Sequence, residues 1–208
     1  MEVTANTIKE LREKTGAGVM DCKKALAENK GDLEKATVWL REKGIASAAK
    51  RAGRVASEGS VGSYIHAGGK LGVLVEVNCE TDFFAKGADF QTLVKDIAMQ
   101  IAATNPRAIK REDIPADVLA QEKQIYASQA EGSGKPPQVI AKIVEGKIDK
   151  FHKEACLMEQ SWVKDPNLTI TDLIGEYTGK SGEKIEIRRF VRFQLGEGIA
   201  KSDDGANS

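Results

Sequence analysis

The sequence predicts an α+β protein in which an N-terminal three-helix module precedes an antiparallel three-stranded sheet with covering helices and a projecting helical hairpin. Three observations predict this architecture. Apolar residues recur at helical spacing through residues 1–45 and again from Phe90 to Ile101. Two short runs, Val61–His66 and Leu71–Cys79, flank the turn Ala67-Gly68-Gly69-Lys70, and the second of them alternates strictly with period two. A third alternating run, Lys184–Leu195, comes late in the chain and supplies the third strand.

In the first module, Ile8 and Leu11 lie on one face of a short helix, with Thr7 and Glu10 at capping-box spacing. Gly16-Ala17-Gly18 makes a tight turn, and a second helix carries Met20, Lys23, Lys24 and Leu26. Asn29-Lys30-Gly31-Asp32 ends it and starts a third, with Leu33, Ala36, Trp39 and Leu40, which stops near Gly44. So small a core is marginal on its own and leaves room for a hinge. Residues 46–60 are small, polar and basic, and read as a linker that is helical at its start.

The core then takes residues 61–115 and 156–200. Leu71, Val73, Val75, Val77 and Cys79 share the buried face of their strand. Phe90, Leu93, Val94, Ile97 and Ile101 form an apolar stripe that covers the sheet, and Asn105-Pro106 ends that helix. In the last strand, Ile185, Ile187, Val191, Phe193 and Leu195 are expected on one face. Residues 116–155 form the inserted hairpin: Val118, Leu119, Ile125 and Tyr126 mark one amphipathic helix, and Ile140, Ile143, Val144, Ile148 and Phe151 a second. Gly132-Ser133-Gly134-Lys135-Pro136-Pro137 breaks the chain between them, and the tail, 201–208, is expected to be disordered.

Composition narrows the function classes. Lys plus Arg and Asp plus Glu are equal at 31 each, which gives no electrostatic case for nucleic acid. The basic run Lys50-Arg51-Ala52-Gly53-Arg54 reads as a solvated linker. No segment approaches the roughly 18 apolar residues of a membrane span. The N-terminus has no apolar signal core, so a cytoplasmic location is expected, or an organelle stroma or matrix if a transit peptide has been removed. Three scattered cysteines, no CxxC and two histidines point to a reducing compartment and argue against a disulfide framework or zinc site.

No catalytic constellation emerges, and an enzyme with its own covalent chemistry is not expected. Thr178-Gly179-Lys180-Ser181 ends like a phosphate loop, but Ile174 holds the position of its first glycine, and the segment precedes a strand instead of following one. Gly16-Ala17-Gly18 lacks the third glycine of a dinucleotide fingerprint. His66 sits alone at the Gly-rich turn, and no metal or cofactor ligand set accompanies it. The chain reads as a binding protein. Its most distinctive segment is Glu80-Thr81-Asp82-Phe83-Phe84, which places two of six phenylalanines side by side where a strand turns into a helix.

Three blocks carry a resemblance to a known family: LREKTGAGVMDCKKAL (Leu11–Leu26), VNCETDFFAK (Val77–Lys86) and RRFVRFQLGEGI (Arg188–Ile199). Together they resemble translation elongation factor Ts over nearly the whole chain, in a short form of bacterial, cyanobacterial or plastid type with one core subdomain. The resemblance implies guanine nucleotide exchange on the GTPase elongation factor Tu. Thr81, Asp82, Phe83 and Phe84 would displace magnesium from the partner, with Phe83 as a wedge between its helices. Arg12, Val19, Met20, Lys23, His66 and Gly182 would contact the partner. Where this chain has Phe84, Val19 and Ser181, the family pattern has valine, methionine and a more apolar residue. Phe84 either joins the wedge or packs at its base. A homodimer is a second expectation, since long members duplicate the core. The three-helix module also resembles ubiquitin-associated (UBA-like) modules, so a pure adaptor is the rival reading.

Overall fold

A computed structural model describes residues 3–132 and 135–199; Ser133, Gly134 and the tail 201–208 lie outside these residues. Helices α1 (Ala5–Thr15), α2 (Val19–Glu28) and α3 (Leu33–Arg51) form the N-terminal module around Leu11, Cys22, Ala25, Leu26 and Ala36, all buried. The α1 cap lies one turn earlier than the sequence suggests. Thr4 is the N-cap, its hydroxyl accepting from the Thr7 amide while the Thr4 amide donates to the Thr7 hydroxyl, so Glu10 has no part in it. Asp32 caps α3 by accepting from the amides of Glu34 and Lys35, and these bonds hold its carboxyl below the usual range.

The third helix does not stop at Gly44. It continues to Arg51, through residues that read as linker, because Gly44 is a crossing point and not a cap. There α3 meets α8 (Ile170–Ser181) at Gly175, and the two backbones approach as only small residues allow.

The sheet has the order β1–β2–β5, antiparallel throughout, with β1 at Glu58–Ile65, β2 at Leu71–Cys79 and β5 at Glu186–Gln194. Val73, Val75, Val77 and Cys79 turn inward, as the alternation predicts. Over them lie α5 (Ala88–Thr104), with its Phe90, Leu93, Val94, Ile97 and Ile101 stripe buried, and α8, with Leu173 and Ile174. Asn105 closes α5 in the left-handed conformation.

The β5 alternation does not hold. Val77 pairs with Ile187 but Glu76 pairs with Arg189, so Arg188 is an extra residue in a β-bulge. A one-residue slip exchanges the two faces of a strand. Ile185 and Ile187 therefore face the core, whereas beyond the bulge Phe190 takes the inner side and Val191, Phe193 and Leu195 turn to solvent.

Helices α6 (Ala116–Glu131) and α7 (Pro137–Ala155) form the projecting hairpin. Its base packs Phe151, Ala155 and Cys156 against Ala108 and Ile114, and Arg111 bridges Asp149 of α7 and Glu159. A short ribbon, β3 (Ser161–Trp162) with β4 (Asp165–Thr169), leads into α8, which Thr169 and Asp172 cap reciprocally. The sequence reading does not anticipate the ribbon or α8. Thr178-Gly179-Lys180-Ser181 forms the end of α8, the opposite context from a phosphate loop.

Candidate functional site

Strand β2 ends at Cys79, and a single helical turn, α4 (Asp82–Ala85), follows. Thr81 caps it, its hydroxyl accepting from the Phe84 amide at 3.2 Å. Successive residues on so short a turn point in different directions, and the two phenylalanines part company. Phe84 is half-buried and meets Phe90 edge-on, ring centroids 5.3 Å apart, beside buried Ala85. Phe83 points away from the protein with 90% of its surface exposed. Burying such a ring is worth about 1.5–3 kcal/mol, which this fold leaves unused. Asp82 pairs with Lys86 one turn on at 2.6 Å, and that hydrogen bond raises the lysine's pKa.

The turn is braced from the loop between α8 and β5. Glu183 accepts from the amides of Glu80 and Thr81 at 3.1 and 3.0 Å and from the Thr81 hydroxyl at 2.5 Å. In return the Glu80 carboxylate accepts from the Lys184 amide at 2.6 Å and from Arg54 at 3.3 Å, and it is held below the usual carboxylate range, mainly by the Lys184 bond. The Cys79 thiol donates to the Thr81 carbonyl, and burial pushes it up to about 11. Gly182, the left-handed C-cap of α8 at φ 73°, presents its carbonyl to Arg51 Nε at 2.8 Å. The basic run 50–54 is thus no free linker: Arg51 and Arg54 tie the end of α3 to both loops.

A second group of candidates lies on the N-terminal module. Arg12 and Lys23 are exposed, and Val19 and Met20, at 49% and 75% exposure, form an apolar spot at the start of α2. The preceding turn abuts the end of α8, where a Cβ on Gly16 would lie 2.8 Å from Lys180 Cε. A cavity of about 210 Å³ separates module and core here, and its walls include Arg41, Lys43, Arg51 and Glu176. Burial pushes the Glu176 carboxyl up.

His66 stands apart. It is exposed at the β1–β2 turn and hydrogen-bonds the Tyr64 hydroxyl through Nδ1 at 2.9 Å. The eight residues of β1, at about 3.3 Å each, separate it from the Phe83 turn.

The structure therefore joins Thr81, Asp82, Phe83, Phe84 and Gly182 into one unit, sets Arg12, Val19, Met20 and Lys23 on the adjoining module, and leaves His66 at the far end of the sheet. Sequence reading missed Glu80, Glu183, Arg51 and Arg54. Glu80 stands next to the motif, but the other three lie far from it in sequence and no local pattern marks them. Among the described residues, no group of three or more His, Cys, Asp or Glu is placed to hold a metal ion, and no helix is long and apolar enough to cross a membrane.

The family model for elongation factor TS matches residues 2–197. Elongation factor Ts of Desulforamulus reducens is 58% identical over 203 residues, which cover 98% of this chain and 94% of the relative. That of Geobacter sulfurreducens is 57% identical over 203 residues, with the same coverage. That of Moorella thermoacetica is 57% identical over 202 residues, 97% of this chain and all of the relative's length.

Proposed function

The chain belongs to the elongation factor Ts family, a component of translation elongation, and we propose that it acts as a guanine nucleotide exchange factor for elongation factor Tu. It binds the GDP-bound partner, displaces Mg²⁺, releases GDP and holds the nucleotide-free state until GTP enters. The observation that carries this reading is Phe83: a large apolar side chain, almost fully exposed, on a turn braced from two other segments.

The physics of exchange asks for that combination. A factor shifts its partner's equilibrium only by its differential affinity for the two states. A crevice that opens only when the partner's helices part gives the Phe83 ring its burial energy only in the open state, about 1.5–3 kcal/mol. Mg²⁺ demands near-ideal octahedral geometry, so small displacements of its supports loosen it. Thr81, Asp82 and Phe83 form the displacing segment, and Phe84 anchors its base on Phe90. Arg12, Val19, Met20 and Lys23 grip the partner from the module, with Gly182 beside the turn and His66 as an outlying contact. The chemistry stays on the partner's nucleotide site, and this chain acts as a binding protein.

Linkage makes the effect reciprocal, so nucleotide must expel this chain as it expels nucleotide. On gel filtration the two proteins should co-elute without nucleotide and separate in excess GDP. Co-elution indifferent to GDP would count against exchange.

We also propose that a second copy of the chain covers the outer face of the sheet. Val61, Ile65, Leu74, Val191 and Phe193 are exposed there and form a contiguous apolar surface across the three strands. Light scattering across working concentrations tests this, since a mass of one 22.5 kDa chain throughout excludes it.

A further inference from the structure

We propose that Glu183 is a positioning residue for exchange, setting the orientation of Phe83 through Thr81. This deepens the exchange reading and rests on it. A helix as short as α4 cannot hold itself in water, where isolated helices below about 12 residues are marginal. Its geometry must be imposed from outside, and Glu183 is the group best placed to do so. Both carboxylate oxygens are engaged at the turn, one by the Glu80 and Thr81 amides and the other by the Thr81 hydroxyl.

The hydroxyl is the link to the wedge. It donates to Glu183 and, through its own oxygen, accepts from the Phe84 amide at 3.2 Å. The position of Glu183 thus fixes the N-cap, the N-cap fixes the first turn, and the turn aims Phe83. Hydrogen bonds to an ionised acceptor are shorter and stronger than neutral ones, which suits the carboxylate to this task.

Glu183 is in turn located by the module. It follows Gly182, whose carbonyl takes the Arg51 guanidinium of α3. Its neighbour Lys184 donates its amide to Glu80 and its ammonium to the Arg54 carbonyl at 3.0 Å. Residues 51–54, 80–81 and 182–184 form one polar junction, and the end of α3 is one of its three members. The position of the wedge is therefore referenced to the module that carries Arg12, Val19, Met20 and Lys23. A partner held by the module meets Phe83 at a fixed offset.

Without Glu183, Phe83 remains in the chain but its turn samples many orientations. Ordering it then falls on the binding step, where fixing side chains and loops weakens association. The expected effect is GDP release on the order of tenfold slower at a fixed concentration of this chain.

The test is a double-mutant cycle on GDP release from elongation factor Tu, with the parent chain, Phe83→Ala, Glu183→Ala and the double variant. Glu183→Ala should slow release in the parent and change nothing further in the Phe83→Ala chain. Glu183→Gln, which keeps an oxygen for the two amides but puts an NH2 where the Thr81 hydroxyl needs an acceptor, should restore only part of the rate. Amide hydrogen exchange at Thr81 and Phe84 in the isolated protein should accelerate in Glu183→Ala. Should that variant fail to fold, Glu183→Asp, one methylene short of the Thr81 hydroxyl, enters the same cycle. Equal slowing in both Phe83 backgrounds, or a Glu183→Ala chain with the parent's rate, overturns the positioning role while the wedge stands. A Phe83→Ala chain as fast as the parent overturns the wedge reading and the positioning role with it.

Discussion

Gly44 of α3 and Gly175 of α8 cross so closely that a Cβ on Gly44 would lie 2.6 Å from the Gly175 carbonyl oxygen. A glycine inside a helix costs about 1 kcal/mol relative to alanine. Here the loss is offset by backbone contact that fixes the N-terminal module against the core. Because Arg51 lies further along α3, the crossing also sets where that helix meets the Gly182–Glu183 loop.

Gly44→Ala should therefore destabilise the protein by about 1–3 kcal/mol, the usual range for overpacking, and should slow exchange by shifting the module relative to the Phe83 turn. Urea unfolding and GDP release on the same preparation check both effects. Unchanged stability would mean that the crossing yields without strain.

The two phenylalanines should separate by mechanism. Phe83→Ala removes an exposed ring and should leave stability within about 0.5 kcal/mol of the parent, with exchange strongly impaired. Phe84→Ala removes a half-buried ring packed on Phe90 and should cost roughly 1–3 kcal/mol, less than the 3–5 of a fully buried phenylalanine. Thermal unfolding distinguishes them, and equal melting temperatures would contradict the assignment of Phe84 as anchor.

This pair also marks what the sequence makes legible. The strand, its buried face and the α5 stripe follow from periodicity, because burial there depends only on local pattern. Which phenylalanine faces out does not, since one helical turn is too short for a pattern. The face of β5 reverses at Arg188 because a bulge is set by its pairing with β2, which no single strand encodes. Gly44 reads as a helix end unless its partner, Gly175, is known. Helix α8 goes unread although Thr169-Ile170-Thr171-Asp172 has capping-box spacing ahead of Leu173 and Ile174, a signal that only the folded structure draws out. The Glu183 brace joins residues about a hundred positions apart, out of reach of local reading.

Glu176 gives a pH prediction. Burial raises its folded pKa above the ordinary value of 4.5, so the folded state holds this proton more tightly than the unfolded chain. The group therefore weakens the fold as pH rises above about 4.5, fully so above the raised folded value. Glu176→Gln should stabilise the protein at pH 7 and lose that advantage near pH 4. Urea midpoints at the two pH values decide it, and a less stable Gln variant at pH 7 would contradict the burial argument.

Glu80 should act in the opposite sense. Its folded pKa is depressed, first by the Lys184 amide and then by Arg54. Its contribution is present above the ordinary value of 4.5 and is lost as pH falls through the lower folded value. Amide exchange at Lys184, corrected for intrinsic rates, should rise below about pH 4.5 in the parent. In Glu80→Gln protection should be weaker at pH 7 and indifferent to acid, and a Gln variant as protected as the parent would contradict the brace.

On the outer face of the sheet, Phe193 is 68% exposed. Phe193→Asp should keep the parent's melting temperature as a monomer and abolish self-association. A dimer that survives the substitution would place the interface elsewhere.

Whether Phe83, held on its braced turn, drives nucleotide release is decided by stopped-flow release of fluorescent GDP from elongation factor Tu at saturating Mg²⁺. The parent chain should give large, concentration-dependent acceleration, and a folded Phe83→Ala variant should lose most of it. No acceleration by the folded parent, or full acceleration by Phe83→Ala, would contradict that role.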